Sequence, residues 1–213
     1  MNAKKISKKV EQQLENGNFC LVKYEIFSEK QRMKKLEDLI GKHDCTPCVI
    51  YCREAYADRI CKIVDKYYPG QAVKYCANKK QSKSAELFLK GERRFMIATS
   101  TILKNISKLD IRLVIHTELP VSMIDYCRQI GPAGHGAECV LLYQADLDLL
   151  ENKAYLQATI DDDKYLRHFQ DLAWIGFYSQ SDFCLRQQLP GLEDCEPCGI
   201  CTNCRKSKNK RAK

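Results

Sequence analysis

The sequence lacks the loop with which many nucleotide hydrolases hold phosphate, because no Gly-x-x-x-x-Gly-Lys-Ser/Thr string occurs in its 213 residues. It also has no Asp-Glu-x-His/Asp string after an apolar run. Such a loop presents backbone N–H groups, a lysine and a metal-binding hydroxyl to the phosphates. We therefore do not expect this chain to hydrolyse ATP on its own.

Long apolar runs are also missing, and none approaches the about 20 residues of a membrane span. The basic first 17 residues contain no apolar stretch, so we expect no secretory signal. These absences predict a cytoplasmic protein with no membrane partner. In a reducing compartment, the 13 cysteines are better explained as metal ligands than as disulfides. The net charge of +8 suits a polyanionic partner, although a merely basic surface would give the same value.

Short apolar runs alternate with helical patterns between residues 19 and 145. The runs are rich in β-branched residues, which is typical of buried parallel strands. They are residues 19–27, 48–52, 72–75, 95–99, 113–116 and 139–143. Helices are predicted from Ser28 to Gly41, over 54–67 and 82–90, and from Ser122 to a Gly-rich turn at 131–136. This alternation predicts an α/β fold with a mainly parallel sheet covered on both faces.

The string ATSTILKNISKLDIRLVIH over residues 98–116, with the Tyr-bearing helix and IGPAGHG after it, resembles motifs V and VI of RecQ-type superfamily-2 helicases. That family reads roughly ATxAFGMGINKPxVRxVIH, a Tyr-rich helix, and QxxGRAGR. The residues in register are Ala98, Thr99, Ile106, Lys108, Arg112, Val114, Ile115, His116, Tyr126, Gly131, Ala133 and Gly134. We interpret His116 as structural rather than catalytic.

The departures from these motifs fall on the residues that would serve ATP. Leu103 and Asn105 replace the two motif V glycines, and Arg128 stands at the motif VI glutamine. Pro132 and His135 stand where the family has the two arginines that face the phosphates. Neither side chain supplies the fixed charge and forked donors of an arginine finger. We call these two the degenerate ATP-site positions.

The resemblance extends over residues 19–204 and implies a domain organisation. Residues 1–18 are predicted to be a basic, flexible leader, and residues 19–145 a RecA-like three-layer lobe, the second of a helicase's two. Residues 146–204 would form a small helical subdomain with four zinc-binding cysteines, and residues 205–213 a basic tail. The phosphate-binding loop of such helicases lies in a first lobe, which this sequence does not contain.

The cysteine-rich stretch DFCLRQQLPGLEDCEPCGICTNC is the second chemical signal. Paired Cys-x-x-Cys spacings suit four thiolates around structural zinc, while the run CEPCGICTNC also resembles an iron–sulfur string. The family resemblance favours zinc. It assigns Cys184, placed on a helix, with Cys198, Cys201 and Cys204 as ligands, and leaves Cys195 as a spare or alternative fourth ligand.

The closing RKSKNKRAK is either a solubilising tail or a phosphate contact beside the cysteines. By the resemblance, backbone contacts with nucleic acid would come from Thr99, Lys104 and Lys108 in the lobe. Arg128 would add positive charge, and Arg205 and Lys206 would begin the tail's share.

These residues support three hypotheses. The first is a RecQ-like protein that binds single-stranded or junction DNA without ATPase activity, since ATP is not expected to bind without a first lobe. The second is half of a split 3′–5′ DNA helicase completed by a first-lobe partner. The third is a protein-interaction module or a gene fragment without selected activity. The protein would be cytoplasmic, and associated with the nucleoid if bacterial.

Overall fold

The apolar runs of the sequence become the strands of one parallel sheet. The computed structural model describes residues 6–42, 47–76, 82–99, 106 and 109–211. The strands are β1 Cys20–Glu25, β2 Cys48–Tyr51, β3 Ala72–Tyr75, β4 Phe95–Ala98, β5 Ile111–His116 and β6 Ala133–Tyr143. The helices are α1 Lys8–Asn16, α2 Glu29–Lys42, α3 Glu54–Tyr67, α4 Ser82–Leu89, α5 Met123–Ile130, α6 Ala145–Thr159, α7 Asp162–Gln180 and α8 Thr202–Arg211.

The six strands are ordered β1-β6-β5-β2-β4-β3, and every pairing is parallel. Strand β2 shows why these runs are apolar throughout. Val49 and Tyr51 enter the core on one face, while Cys48 and Ile50 enter the core on the other. Helices α2 and α3 cover the second face, and α1, α4, α5, α7 and the cysteine segment cover the first. The predicted three-layer α/β fold is therefore confirmed.

The start of α2 is held by a reciprocal capping box. The Ser28 hydroxyl accepts the N–H of Gln31 at 3.2 Å, and the Gln31 side chain accepts the N–H of Phe27 at 2.8 Å. The predicted stop at Gly41 is wrong by one residue, because α2 continues to Lys42.

The N-terminal residues differ from the predicted flexible leader. Residues 8–16 form helix α1, and the Ser7 side chain caps it by accepting the N–H of Val10. Leu14 is completely buried in the core against the sheet. Apolar residues at 10 and 14, spaced by one helical turn, give the helix a packing face that its lysines obscure in the sequence.

Strand β6 begins earlier than predicted, at Ala133 rather than at residue 139. The turn predicted at 131–136 is therefore wrong from residue 133 onward. The register against β5 shifts between Ile111 and Leu113, and Gly136 has a φ of +74°, which only glycine adopts without strain. The bulge lets a glycine-rich segment pair as a strand.

Helices α6 and α7 follow the lobe, where a helical subdomain is predicted. Leu172, Ile175 and Tyr178 of α7 are buried. Leu166 and Phe177 are 67% and 63% exposed, however, so the apolar face of α7 packs on the lobe only in part. Among the described helices, none combines the length and apolar composition that a membrane crossing requires.

Candidate metal centre and nucleic-acid-binding surface

Four cysteines converge after helix α7. The Sγ atoms of Cys184, Cys198, Cys201 and Cys204 all lie within 4.8 Å of one another, so they can hold a metal ion. Cys184 lies in an irregular segment beyond the end of α7 at Gln180, and the prediction that it sits on a helix is wrong. The other three come from residues 198–204, where Gly199 has a φ of +72° and allows the tight turn.

Backbone amides surround these sulfurs. The N–H of Leu185 donates to Cys201 Sγ at 3.4 Å, and the N–H of Cys198 donates to Cys184 Sγ at 3.4 Å. The N–H groups of Cys201 and Cys204 donate in the same way to the preceding sulfurs, Cys198 Sγ at 3.4 Å and Cys201 Sγ at 3.5 Å. Such donors stabilise thiolate over thiol, which is the form that binds a metal.

The acidity of the thiols reflects this arrangement. Burial raises the pKa of Cys184, but the N–H groups of Cys198, Gln187 and Arg186 together have the larger, opposite effect. The pKa of this thiol is therefore lowered to about 7. Burial raises the pKa of Cys198, and it raises that of Cys204 to about 12, where the neighbouring sulfurs add to the effect. The Cys184 thiolate therefore forms readily, whereas thiolates at Cys198 and Cys204 need a cation nearby to balance their charge. The all-sulfur donor set fits a soft divalent metal.

Cys195, the spare cysteine, lies outside this cluster. It is partly buried, and its carbonyl oxygen accepts a hydrogen bond from Gln187 Nε2 at 2.7 Å. Its backbone therefore supports the segment that carries Cys184.

The cysteine segment covers the β1 edge of the sheet. The N–H of Lys23 donates to Thr202 Oγ1 at 3.0 Å, and Cys20 Sγ donates to the carbonyl oxygen of Ile200 at 3.1 Å. The Lys23 ammonium donates to the carbonyl oxygens of Ser179 at 2.8 Å and Ser181 at 2.5 Å, at the end of α7. These contacts protect an edge strand and fix the cysteine cluster to the lobe.

Helix α8 starts inside the cluster, because Cys204 belongs to its first turn. Five of its ten residues are Lys or Arg and none is acidic. Arg205 and Lys206 are exposed beside the cysteines. The structure therefore joins the predicted basic tail to the predicted metal site through one helix.

The other predicted nucleic-acid residues are distributed over the lobe. Thr99 follows β4 and is half-buried, with its N–H donating to the carbonyl oxygen of Tyr75 at 3.0 Å. Arg128 lies on α5 and forms an exposed ion pair with Asp125 at 3.4 Å. Lys104 and Lys108 lie outside the described residues. Their grouping with Thr99 stays a prediction.

The degenerate ATP-site positions line a cavity of 430 Å³ between α1 and the start of β6. Pro132 and His135 form one side, and Gln13, Asn16 and Asn18 form the other. His135 Nε2 is hydrogen-bonded to Asn18 Nδ2 at 2.9 Å. The cavity is therefore lined by amide side chains, a proline and a histidine.

His116, at the end of β5, is a buried and neutral residue. Its ring stacks on Tyr51 with centroids 5.0 Å apart and meets the edge of Tyr126 at the same distance. Its Nε2 is hydrogen-bonded to Gln129 Oε1 at 2.8 Å. Burial lowers the pKa of this imidazole to about 4. This environment agrees with the structural role predicted for it.

A buried charge network beyond β5 was not predicted from the sequence. Arg32 on α2 donates to Asp148 Oδ1 at 2.9 Å and to the carbonyl oxygen of Thr117 at 2.5 Å. Asp148 Oδ2 accepts the N–H groups of Leu119 and Gln144. Burial raises the pKa of Glu118 to about 7, against the lowering effects of the Thr117 hydroxyl, Arg53 and Arg32. The network joins α6 to the carboxyl end of the sheet.

No known protein-family model matches the sequence. The chain is 28% identical over 130 residues to the ATP-dependent DNA helicase RecQ of Bacillus subtilis (strain 168), covering 58% of this chain and 22% of that protein. It is 22% identical over 124 residues to the DEAD-box ATP-dependent RNA helicase 40 of Oryza sativa subsp. japonica, covering 56% of this chain and 15% of that protein. The chain thus spans about a fifth or less of the length of these relatives.

Solved structures give the same fold. The yeast DEAD-box splicing factor Prp28 superposes with a TM-score of 0.54 at 19% identity, covering 72% of this chain and 37% of that one. The Escherichia coli DEAD-box protein SrmB, bound to regulator of ribonuclease activity A, gives a TM-score of 0.50 at 16% identity, covering 64% and 85%. The chain therefore has the RecA-like fold of a helicase's second lobe, followed by a cysteine cluster.

Proposed function

We propose that this chain is a helicase-related protein that binds nucleic acid through its lobe and a zinc-held basic helix, without ATPase or unwinding activity of its own. The observation that carries the proposal is helix α8. It contains five basic residues, and its first turn includes Cys204, one of a cluster of four cysteines fixed to a helicase-type lobe.

We propose zinc as the metal and Cys184, Cys198, Cys201 and Cys204 as its ligands. Four thiolates complete a tetrahedral zinc site and leave no position for water, so the metal would be structural. The choice of zinc over an iron–sulfur cluster rests on the family resemblance and not on the hydrogen bonds around the sulfurs. The lobe would span residues 19–145 and the zinc subdomain residues 146–204.

Single-stranded or junction DNA is the proposed ligand, because the relative with the higher identity is a DNA helicase. Arg205 and Lys206 would contact phosphates beside the zinc, together with Thr99, Lys104, Lys108 and Arg128 of the lobe. Contacts of this kind neutralise phosphates and read little sequence. A cytoplasmic location, or association with a bacterial nucleoid, would follow from this ligand.

Pro132 and His135 support the absence of independent ATP chemistry. A developing phosphoryl charge needs a fixed cation with forked donors, and these side chains lack both. The imidazole of His135 is instead hydrogen-bonded to the side-chain amide of Asn18.

The test is a fluorescence-anisotropy titration of the zinc-loaded chain with single-stranded DNA over a salt series. Single-stranded RNA and duplex DNA of the same length serve as comparisons. The proposal predicts measurable binding whose log K falls steeply with log salt, because several phosphates lose their counterions. Absence of binding at low salt would remove the proposal, and tighter binding to RNA would change the ligand.

Half of a split helicase is the second candidate, favoured by the second-lobe fold. A first-lobe partner would then have to supply the missing cation opposite Pro132 and His135. Mixing the chain with such a lobe and measuring DNA-stimulated ATP hydrolysis distinguishes a split helicase from a protein that only binds nucleic acid.

A protein-interaction module is favoured by the exposed Leu166 and Phe177, and it predicts no salt-dependent DNA binding.

A further inference from the structure

The carbonyl groups at the end of α1 are held by a residue from the other end of the chain. Arg186 Nη2 donates to the carbonyl oxygens of Leu14 at 2.8 Å and Glu15 at 2.9 Å, and Nη1 donates to that of Gly17 at 2.7 Å. Helix α1 has no basic residue in its own last turn. One guanidinium therefore satisfies three carbonyl groups that the helix leaves without partners.

The backbone of Arg186 lies beside the cysteine cluster. The N–H of Leu185, the preceding residue, donates to Cys201 Sγ at 3.4 Å, and the sulfur of Cys184, two positions before Arg186, accepts the N–H of Cys198 at 3.4 Å. Two of the four sulfurs thus hold the segment that carries Arg186. The position of the Arg186 side chain follows from the folding of this segment around the sulfurs.

Helix α1 and the residues directly after it lie against the start of β6. The N–H of Gly136 donates to the carbonyl oxygen of Asn18 at 2.6 Å, and Asn18 Nδ2 is hydrogen-bonded to His135 Nε2 at 2.9 Å. The 430 Å³ cavity lies between these two segments. The α1 side of the cavity therefore exists only while α1 stays docked.

We propose that Arg186 is a positioning residue that couples metal binding at the cysteine cluster to the docking of α1. When the four sulfurs hold a metal, Arg186 clamps α1 over Pro132 and His135. When the metal is lost, the clamp is released and α1 undocks. This inference rests on the proposed metal centre, but it does not depend on nucleic-acid binding.

The test is hydrogen exchange followed by mass spectrometry on the full chain, with zinc and after chelation. Exchange of residues 6–18 should become about tenfold faster in the chelated chain, while strands β2 and β4 keep their protection. Zinc content, measured separately, shows whether the metal centre itself exists. A chelated chain in which residues 6–18 stay protected while residues 184–204 exchange freely would overturn the coupling.

Variants keep the test decisive if chelation unfolds the whole chain. R186Q with zinc bound should accelerate exchange of residues 6–18 about tenfold, while its zinc content stays that of the parent. R186K should lie between R186Q and the parent, because one ammonium cannot reach three carbonyls in a fixed geometry. R167Q, at an exposed arginine on α7, is the matched control and should change neither reading. Unchanged exchange in R186Q would contradict the proposal.

Discussion

The start of β6 and the cysteine cluster lie in the same chain but offer different chemistry. At β6, Pro132 and His135 line a cavity whose other side is formed by amide side chains. At the cluster, all four sulfurs converge within 4.8 Å and can hold a metal ion. The comparison supports the proposal that the surface held by the cysteine cluster, rather than ATP, carries the function.

Removing a sulfur should produce the largest effect. Cys201→Ser removes a buried sulfur of the proposed ligand set and should abolish zinc binding. The free energy of unfolding should fall by more than about 5 kcal/mol, because structural zinc supplies folding energy directly. Metal analysis and denaturant unfolding of the variant measure both quantities. Cys195→Ser, outside the cluster, should keep one zinc and near-parent stability; an equal loss there would contradict the ligand set.

The buried charge network should give the next largest effect. Asp148→Asn removes the nearer of the two carboxylates that face Arg32 and should lower the free energy of unfolding by about 3 kcal/mol, since the buried guanidinium loses its direct ion pair and keeps only Glu118 at 3.7 Å. Urea unfolding measures this loss. Asp58→Asn disrupts the exposed pair with Lys74 instead and should cost less than about 1 kcal/mol. Similar losses in the two variants would show that the network has no special role.

Glu118 should give this network a pH dependence. Its folded-state pKa of about 7 lies above the usual 4.5, so the stability that it contributes is present below pH 4.5 and is lost as pH rises through 7. Relative to Glu118→Gln, the parent should lose on the order of 3 kcal/mol across this window.

His116 acts in the opposite direction, because its pKa of about 4 lies below the usual 6.5. Its contribution is lost as pH falls from 6.5 through 4. The difference between parent and Glu118→Gln therefore isolates the carboxyl group, whereas the raw profile does not. Thermal unfolding at a series of pH values supplies the comparison. A pH-independent difference would show that Glu118 does not titrate in this range.

The smallest expected effect concerns the basic helix. Replacing Arg205 and Lys206 by glutamine should weaken binding to single-stranded DNA at low salt and reduce the salt slope by roughly 0.7 for each lost phosphate contact. Anisotropy titrations at several salt concentrations give both values. Lys62→Gln on α3 is the control for general charge and should leave the slope unchanged. An equal reduction in the control would indicate nonspecific attraction.

The sequence predicts the lobe better than its surroundings. Strand β3 and helix α3 have the predicted bounds, because Pro69 and Gly70 separate two clear periodic patterns. The family resemblance, rather than the spacing alone, names the four cysteines whose sulfurs converge. The strand and helix patterns are local and need no knowledge of distant contacts.

The errors arise where distant residues decide the structure. Strand β6 extends through a glycine-rich segment because β5 and Asn18 supply hydrogen-bond partners. Helix α1 forms in a lysine-rich leader because Arg186, 169 or more positions away, holds its end. The Arg32–Asp148 pair spans 116 positions and has no local signal. Each of these features depends on the assembled fold.

The most direct test of the account is the affinity of the zinc-loaded chain for single-stranded DNA, measured over a salt series with and without Mg²⁺ and ATP. The account predicts steeply salt-dependent binding that ATP leaves unchanged. A dissociation constant that shifts with ATP would contradict the loss of ATP chemistry at Pro132 and His135. No binding at low salt would contradict the nucleic-acid surface.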